Sequence, residues 1–153
     1  MTRLHEQIET DLPLETSFDF VADFANAARW DPGVARSVGL DEGPLRLGSR
    51  FALDVRMGRR IAPMTYHVSV LDRPHRVVLV GAGSGVDAVD EIVFEPAASG
   101  TRIRYTADIR LRGLLRLAQP FLSGAFTRIG RNAATGMRRT LADLATSPGR
   151  SPA

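Results

Sequence analysis

Apolar residues recur along this chain with two different periods, and the change from one to the other divides it into regions. Residues 4–12 alternate as a strand does, with Leu4, Ile8, Thr10 and Leu12 on one face and Glu9 and Asp11 on the other. Pro13 ends that run. From Leu14 the spacing turns helical: Phe18, Val21, Ala22 and Ala25 share one side, Phe20 and Phe24 widen the stripe, and Asn26 or Pro32 closes it. A short helix and a bend follow, carrying the single tryptophan, Trp30.

The middle of the chain reads as a succession of strands. Ser49–Met57 sets Phe51, Leu53, Val55 and Met57 against Arg50, Asp54 and Arg56. Arg60–Asp72 sets Met64, Tyr66, Val68 and Val70 against Thr65, His67 and Ser69. Arg76–Val80 is a third run, and Val86–Glu95 places Ala88, Asp90, Ile92 and Phe94 on one face. Thr101–Leu111 places Ile103, Tyr105, Ala107, Ile109 and Leu111 opposite a polar row of Arg102, Arg104, Thr106, Asp108 and Arg110. Gly- and Pro-containing segments separate these runs at the spacing of antiparallel hairpins.

Beyond Gly113 the alternation stops, and Leu114, Leu117, Phe121, Leu122, Ala125, Ile129, Ala133, Met137, Leu141 and Leu144 recur at helical intervals. Pro120 is expected to divide a short helix from a longer one, because proline cannot donate within a helix interior. The longer piece, about 25 residues to Leu144, would span roughly 37 Å and cross a whole sheet. The tail from Ser147, with two Pro and a Gly, is expected to be disordered. The predicted order is strand, two short helices, about six strands, long helix.

Composition narrows the chemistry. A chain of 153 residues, 44% hydrophobic and 24% charged, suits one globular domain with a sizeable core. There is no Cys, so disulfides, thiolate nucleophiles and Cys-based metal sites are excluded. All 20 basic residues counted as Lys or Arg are Arg, which removes Schiff-base and Walker-lysine chemistry. The net charge of +3 comes from arginines interspersed with 17 acids rather than from a basic run, so no nucleic-acid partner is expected. The N-terminus, MTRLHEQIETDL, is charged, and no stretch approaches the roughly 18–20 apolar residues of a membrane span, so a cytoplasmic location is expected.

The segment FDFVADFANAARWDPGV, residues 18–34, the pair Gly48-Ser49, the stretch GTRIRYTADI from Gly100, and the terminal helix resemble the START-like (SRPBCC, helix-grip) superfamily, in its polyketide cyclase/dehydrase and lipid-transport branch. The resemblance implies an α+β fold over residues 1–146: a curved antiparallel sheet of about six to seven strands wrapped around a long C-terminal helix. It also implies a pocket for a hydrophobic small molecule. The physical reading agrees, since a bent sheet must cover its apolar face and one helix cannot fill the concavity. A cavity on the order of 300–1,000 Å³ is the usual scale of such sites.

The sheet and bend residues expected to line it are Trp30, Phe51, Leu53, Met64, Tyr66, Val68, Asp90, Tyr105 and Ala107. The helix is expected to add Phe121, Ala125, Ile129 and Met137. For the aliphatic members, plain core packing explains the same pattern. Asp90 is the most informative residue, a carboxylate on an apolar face. Within the cavity near Tyr66 or Tyr105, burial would raise its pKa and fit it for general acid/base work or for anchoring a ligand hydroxyl. At a strand end it would instead cap a turn or pair with an Arg. Tyr66 and Tyr105 each present a hydroxyl on an apolar body, and Trp30 either gates the pocket or closes the core.

Other motifs carry less. VVLVGAGSGV, residues 77–86, imitates a dinucleotide-binding start, but Val86 stands where a third Gly is required and a strand follows where a helix is needed. His5, His67 and His75 lack the spacing of a local metal motif, and neither a metal nor a cofactor is expected. Arg128, Arg131, Arg138 and Arg139 form a solvated helix face or, alternatively, meet an acidic lipid head group or a transient membrane surface. Three functions follow: a carrier of a lipid, isoprenoid or polyketide-like molecule; an aromatase/cyclase-type enzyme with Asp90, Tyr66 and Tyr105 as catalytic groups; or a protein-interaction module with a filled core.

Overall fold

A computed structural model describes residues 1–146, and the tail expected to be disordered lies outside the described residues. The elements are β1 (Thr2–Thr10), α1 (Leu14–Val21), a 3-10 turn (Phe24–Asn26), α2 (Ala27–Trp30), β2 (Val34–Gly39), β3 (Arg50–Met57), β4 (Arg60–Asp72), β5 (Arg76–Gly83), β6 (Val86–Ala97), β7 (Gly100–Leu111), a second 3-10 segment (Gly113–Ala118) and α3 (Gln119–Ala145). All seven strands form one antiparallel sheet in the order β1-β7-β6-β5-β4-β3-β2. Every neighbour but β1 is joined by chain order, and β1 closes the far edge by pairing with β7. The sheet curls into a half-barrel with α3 packed across its concave face, the α+β helix-grip arrangement.

Several boundaries depart from the apolar pattern for local reasons. The first helix stops at Val21 because the Asp23 side chain accepts from the Ala25 N–H at 3.0 Å and starts a new turn. β2 escapes the pattern because only Val34 in it is buried. β5 continues past Val80 to Gly83, since the glycines there are strand residues: Gly81 pairs with Tyr66, and a Cβ on it would stand 2.5 Å from the tyrosine ring. In β4 a bulge between Val68 and Val70 shifts the register, so that Val70 pairs with Val78 and Leu71 with Val77. The alternation that put Val70 on the inner face is thereby reversed, and Leu71 packs against the core instead.

The core lies between the concave face, α1 and α3. Phe18, Phe20, Phe94, Ile92, Ile103 and Leu141 are fully buried, and burying a side chain of this size contributes about 1.5–3 kcal/mol. α3 begins at Gln119 with Pro120 in its first turn, where the missing N–H costs nothing. Its 27 residues extend about 40 Å. No described helix is long and apolar enough to cross a membrane.

Candidate functional site

Inward-facing rows of β1, β3, β4, β6 and β7, the bend after α2, and one face of α3 enclose a cavity of about 120 Å³. Its sheet wall holds Leu53, Met64, Tyr66, Asp90, Tyr105 and Ala107; Trp30 closes one side, and Ile129 and Met137 reach in from α3. These nine residues are brought together as their spacing implies. Four others are not. Phe51 and Val68 face inward and are buried, but they belong to the packed core beside the cavity, Phe51 against Phe24 at 6.4 Å between ring centroids. Phe121 and Ala125 point to solvent, because the helix presents Phe126, Ile129, Ala133 and Met137 to the cavity and turns the other two residues outward. The volume is also below the 300 Å³ scale expected.

Alternation along β6 places Asp90 on the inner face in mid-strand, opposite Leu79 and Ala107, where it caps no turn and pairs with no arginine among the described residues. Tyr105, on the neighbouring strand, donates its hydroxyl to Asp90 Oδ2 at 2.9 Å. Burial pushes the Asp90 carboxyl up to about 7; the tyrosine hydrogen bond opposes this, and the negative charges of Asp31 and Asp108 reinforce it. Burial likewise holds both tyrosine hydroxyls well above their ordinary value, with the Asp90 charge adding to the effect. Among the described residues the Tyr66 hydroxyl finds only the Met64 sulfur, at 3.9 Å, a weak acceptor that leaves it largely unspent.

Trp30 is held by edge-to-face contacts with Phe24 and Tyr105, at 6.3 and 6.0 Å between centroids. Its buried indole N–H has no hydrogen-bond partner among the described residues, a deficit that ordinarily costs about 1–3 kcal/mol.

Two lining carboxylates escaped the sequence reading. Asp31 follows Trp30 in the bend, accepts from the Gly33 N–H at 2.8 Å, and is pushed up to about 6 by burial. Glu6 lies on the inner face of β1, paired with Tyr105. Its position was legible, two residues from each of Leu4 and Ile8 in the same alternating run. That of Asp31 was not, since a bend has no period. No Arg or His is among the described residues lining the cavity.

The Gly-rich segment at 81–85 forms the end of β5 and the tight turn into β6, with Gly85 at φ +79. It holds no helix N-terminus to bind a pyrophosphate. His67 is exposed, and His5 shares a hydrogen bond of 2.9 Å with the Thr106 hydroxyl on the outer face of the sheet.

The family described as polyketide cyclase / dehydrase and lipid transport matches this chain over residues 1–146. The chain belongs to that family. Several solved structures share its fold at low identity. A protein from Thermus thermophilus superposes with a TM-score of 0.78 at 14% identity, covering 95% of this chain and 99% of the other. The ZhuI aromatase/cyclase from Streptomyces sp. R1128 gives 0.74 at 14% identity, covering 97% and 96%. A START superfamily protein from Mycobacterium smegmatis gives 0.71 at 16% identity, covering 93% and 100%. No curated protein matches the chain. At these identities the likeness of this family member to its neighbours is one of fold, and the chemistry rests on its own cavity.

Proposed function

We propose that this protein binds a hydrophobic small molecule, such as a lipid, isoprenoid or polyketide-like compound, in the cavity under α3. The observation that carries the reading is the character of the lining: predominantly apolar, with a few polar groups gathered around Asp90, Tyr66, Tyr105 and Trp30. The ligand is not an anion, because Glu6, Asp31 and Asp90 line the cavity without any cationic side chain among the described residues. A ligand carboxylate would be desolvated beside like charges. A carbonyl or hydroxyl oxygen would instead accept from the indole N–H of Trp30 or the hydroxyl of Tyr66. At about 120 Å³ the cavity admits a ring-sized group, and a larger molecule needs α3 to move away from the sheet.

A second reading is favoured by one feature, the Asp90–Tyr105 pair. A carboxyl pushed up to about 7 in an apolar cavity is suited to exchange a proton near neutral pH, as the cyclisation or dehydration of a polyketide-like chain would require. The geometry also weakens the interaction-module reading, which expects a filled core.

Native mass spectrometry of the purified protein, followed by denaturing extraction, tests the proposal. A defined neutral apolar compound that copurifies supports it. A protein that arrives empty and binds neither neutral aromatic ketones nor isoprenoid alcohols sinks it. Conversion of a bound poly-β-ketone surrogate, abolished in Asp90→Asn, would move the assignment to the second reading.

A further inference from the structure

The connection from β7 into α3 breaks the burial rule that governs the rest of the chain. Leu114 is 87% exposed, Leu117 69% and Phe121 87%, with Leu115 half exposed beside them. Each large apolar side chain left in water forgoes about 1.5–3 kcal/mol of burial, and four within eight residues form a patch rather than scattered exceptions. The segment is fixed in this presentation. The Arg112 N–H donates to the Gly85 carbonyl at 2.8 Å, the Arg112 guanidinium pairs with Asp87 at 3.2 Å, and Gln119 bonds the Leu111 N–H and the Ile109 carbonyl.

Apart from Asp87, which pairs with Arg112, the charge contributed by this stretch of the chain has one sign. Between Asp108 and Asp143 the chain has no acidic residue and seven arginines: Arg110, Arg112, Arg116, Arg128, Arg131, Arg138 and Arg139. Arg116 sits between Leu115 and Leu117 and is exposed, as is Arg128. Phe121 and Arg128 are seven residues apart, two helical turns, and so share the solvent face of α3. A second copy of this chain on the same patch would oppose arginine to arginine, which disfavours a two-fold pairing.

We infer that this face, from Arg112 to Arg128, docks on an anionic membrane surface. Leu114, Leu117 and Phe121 enter the boundary between head groups and acyl chains, while Arg116 and Arg128 meet lipid phosphates. The 3-10 segment lies over the β5–β6 turn, where a Cβ on Gly85 would touch Leu115. That is the end of the cavity bordered by Met57, Val86 and Ile109. Docking therefore brings that end towards the lipid, which would suit an apolar ligand; only this last step rests on the proposed function.

The test is flotation of the full chain with vesicles of phosphatidylcholine and phosphatidylglycerol (3:1) against vesicles of phosphatidylcholine alone. Binding to the anionic vesicles at low salt, lost at 0.5 M salt, is expected. It should weaken about tenfold in Leu117→Ser/Phe121→Ser and by a similar factor in Arg116→Gln/Arg128→Gln, a factor that corresponds to about 1.4 kcal/mol. These side chains are exposed, so unchanged melting temperatures confirm that the variants fold. Absence of binding at low salt, binding equal in all variants, or a dimer in gel filtration that Leu117→Ser dissociates would each overturn the inference. An empty cavity with intact vesicle binding would defeat the ligand proposal and leave the docking surface standing.

Discussion

A Cβ placed on Gly136 would overlap the backbone carbonyl oxygen of Trp30 and press on Pro32 Cδ at 3.0 Å, so this glycine is the point at which α3 closes onto the bend that carries Trp30 and Asp31. Small residues at such contacts let backbones approach. The bend in turn sets the cavity wall, because Trp30 and Asp31 line it from one side. Helix position and cavity shape are thus coupled through one missing side chain.

Gly136→Ala is therefore expected to destabilise the protein by about 1–3 kcal/mol, the usual cost of overpacking a tight contact, despite the higher helix propensity of alanine. Urea denaturation followed by far-UV circular dichroism reads the loss. Trp30 is the only tryptophan, so its emission maximum reports whether the bend has opened. An unchanged midpoint with unchanged emission would show that α3 does not rest on Trp30 at this position.

Gly81 and Tyr66 make a second such pair. The tyrosine ring occupies the space a Cβ on Gly81 would take, with ring carbons at 2.5–2.8 Å. Gly81→Ala should destabilise by about 1–3 kcal/mol in the native background and by much less when combined with Tyr66→Ala, since the ring is then absent. A double-mutant cycle from denaturation midpoints measures the coupling. Additive effects would mean that the strand, not the ring, sets the requirement for glycine.

Most of the architecture was legible because half-buried strands and a one-sided helix advertise themselves by period. β6 and β7 carry clean alternations, and Asp90 could be placed on the inner face from its neighbours Ala88, Ile92 and Phe94 alone. The reading failed where the period was locally broken or shared. The bulge at Ser69 inverted Val70 and Leu71. On α3 the apolar residues cover more than one face, so sequence could not say that Phe126, rather than Phe121 or Ala125, points inward; the sheet against which the helix packs decides its rotation. Asp31 was hidden because a bend places residues by hydrogen bonds such as that to the Gly33 N–H, not by repetition.

The acid-lined cavity should discriminate ligands by charge. At pH 8, 2-acetylnaphthalene is expected to quench or shift Trp30 emission at a concentration at least about tenfold lower than 2-naphthoate, a difference of about 1.4 kcal/mol. The two differ little in size, so the contrast isolates the cost of burying an anion near Glu6, Asp31 and Asp90. Equal binding of both would remove the carboxylates from the recognition argument and with it the exclusion of an anionic ligand.

Asp90 gives the clearest dependence on pH. Its folded pKa of about 7 lies above the ordinary 3.8, so the protonated form favours the folded state. The stability this group contributes is fully present below about pH 4 and is lost as the pH rises through 7. Asp90→Asn cannot ionise, so the stability of the variant relative to the native protein should rise from pH 4 to pH 8, by an amount bounded at about 4 kcal/mol. Asp31, pushed up to about 6, acts in the same direction and remains in both proteins, so it leaves the difference between them largely intact. Tyr105→Phe supplies the complementary test. The tyrosine hydroxyl favours the Asp90 carboxylate at 2.9 Å, and its removal should move the Asp90 transition to higher pH. Urea denaturation of the three proteins at half-unit intervals of pH reads both effects. Parallel profiles for the native protein and Asp90→Asn would mean that the carboxyl is hydrated in solution, and the general acid/base reading would lose its only support.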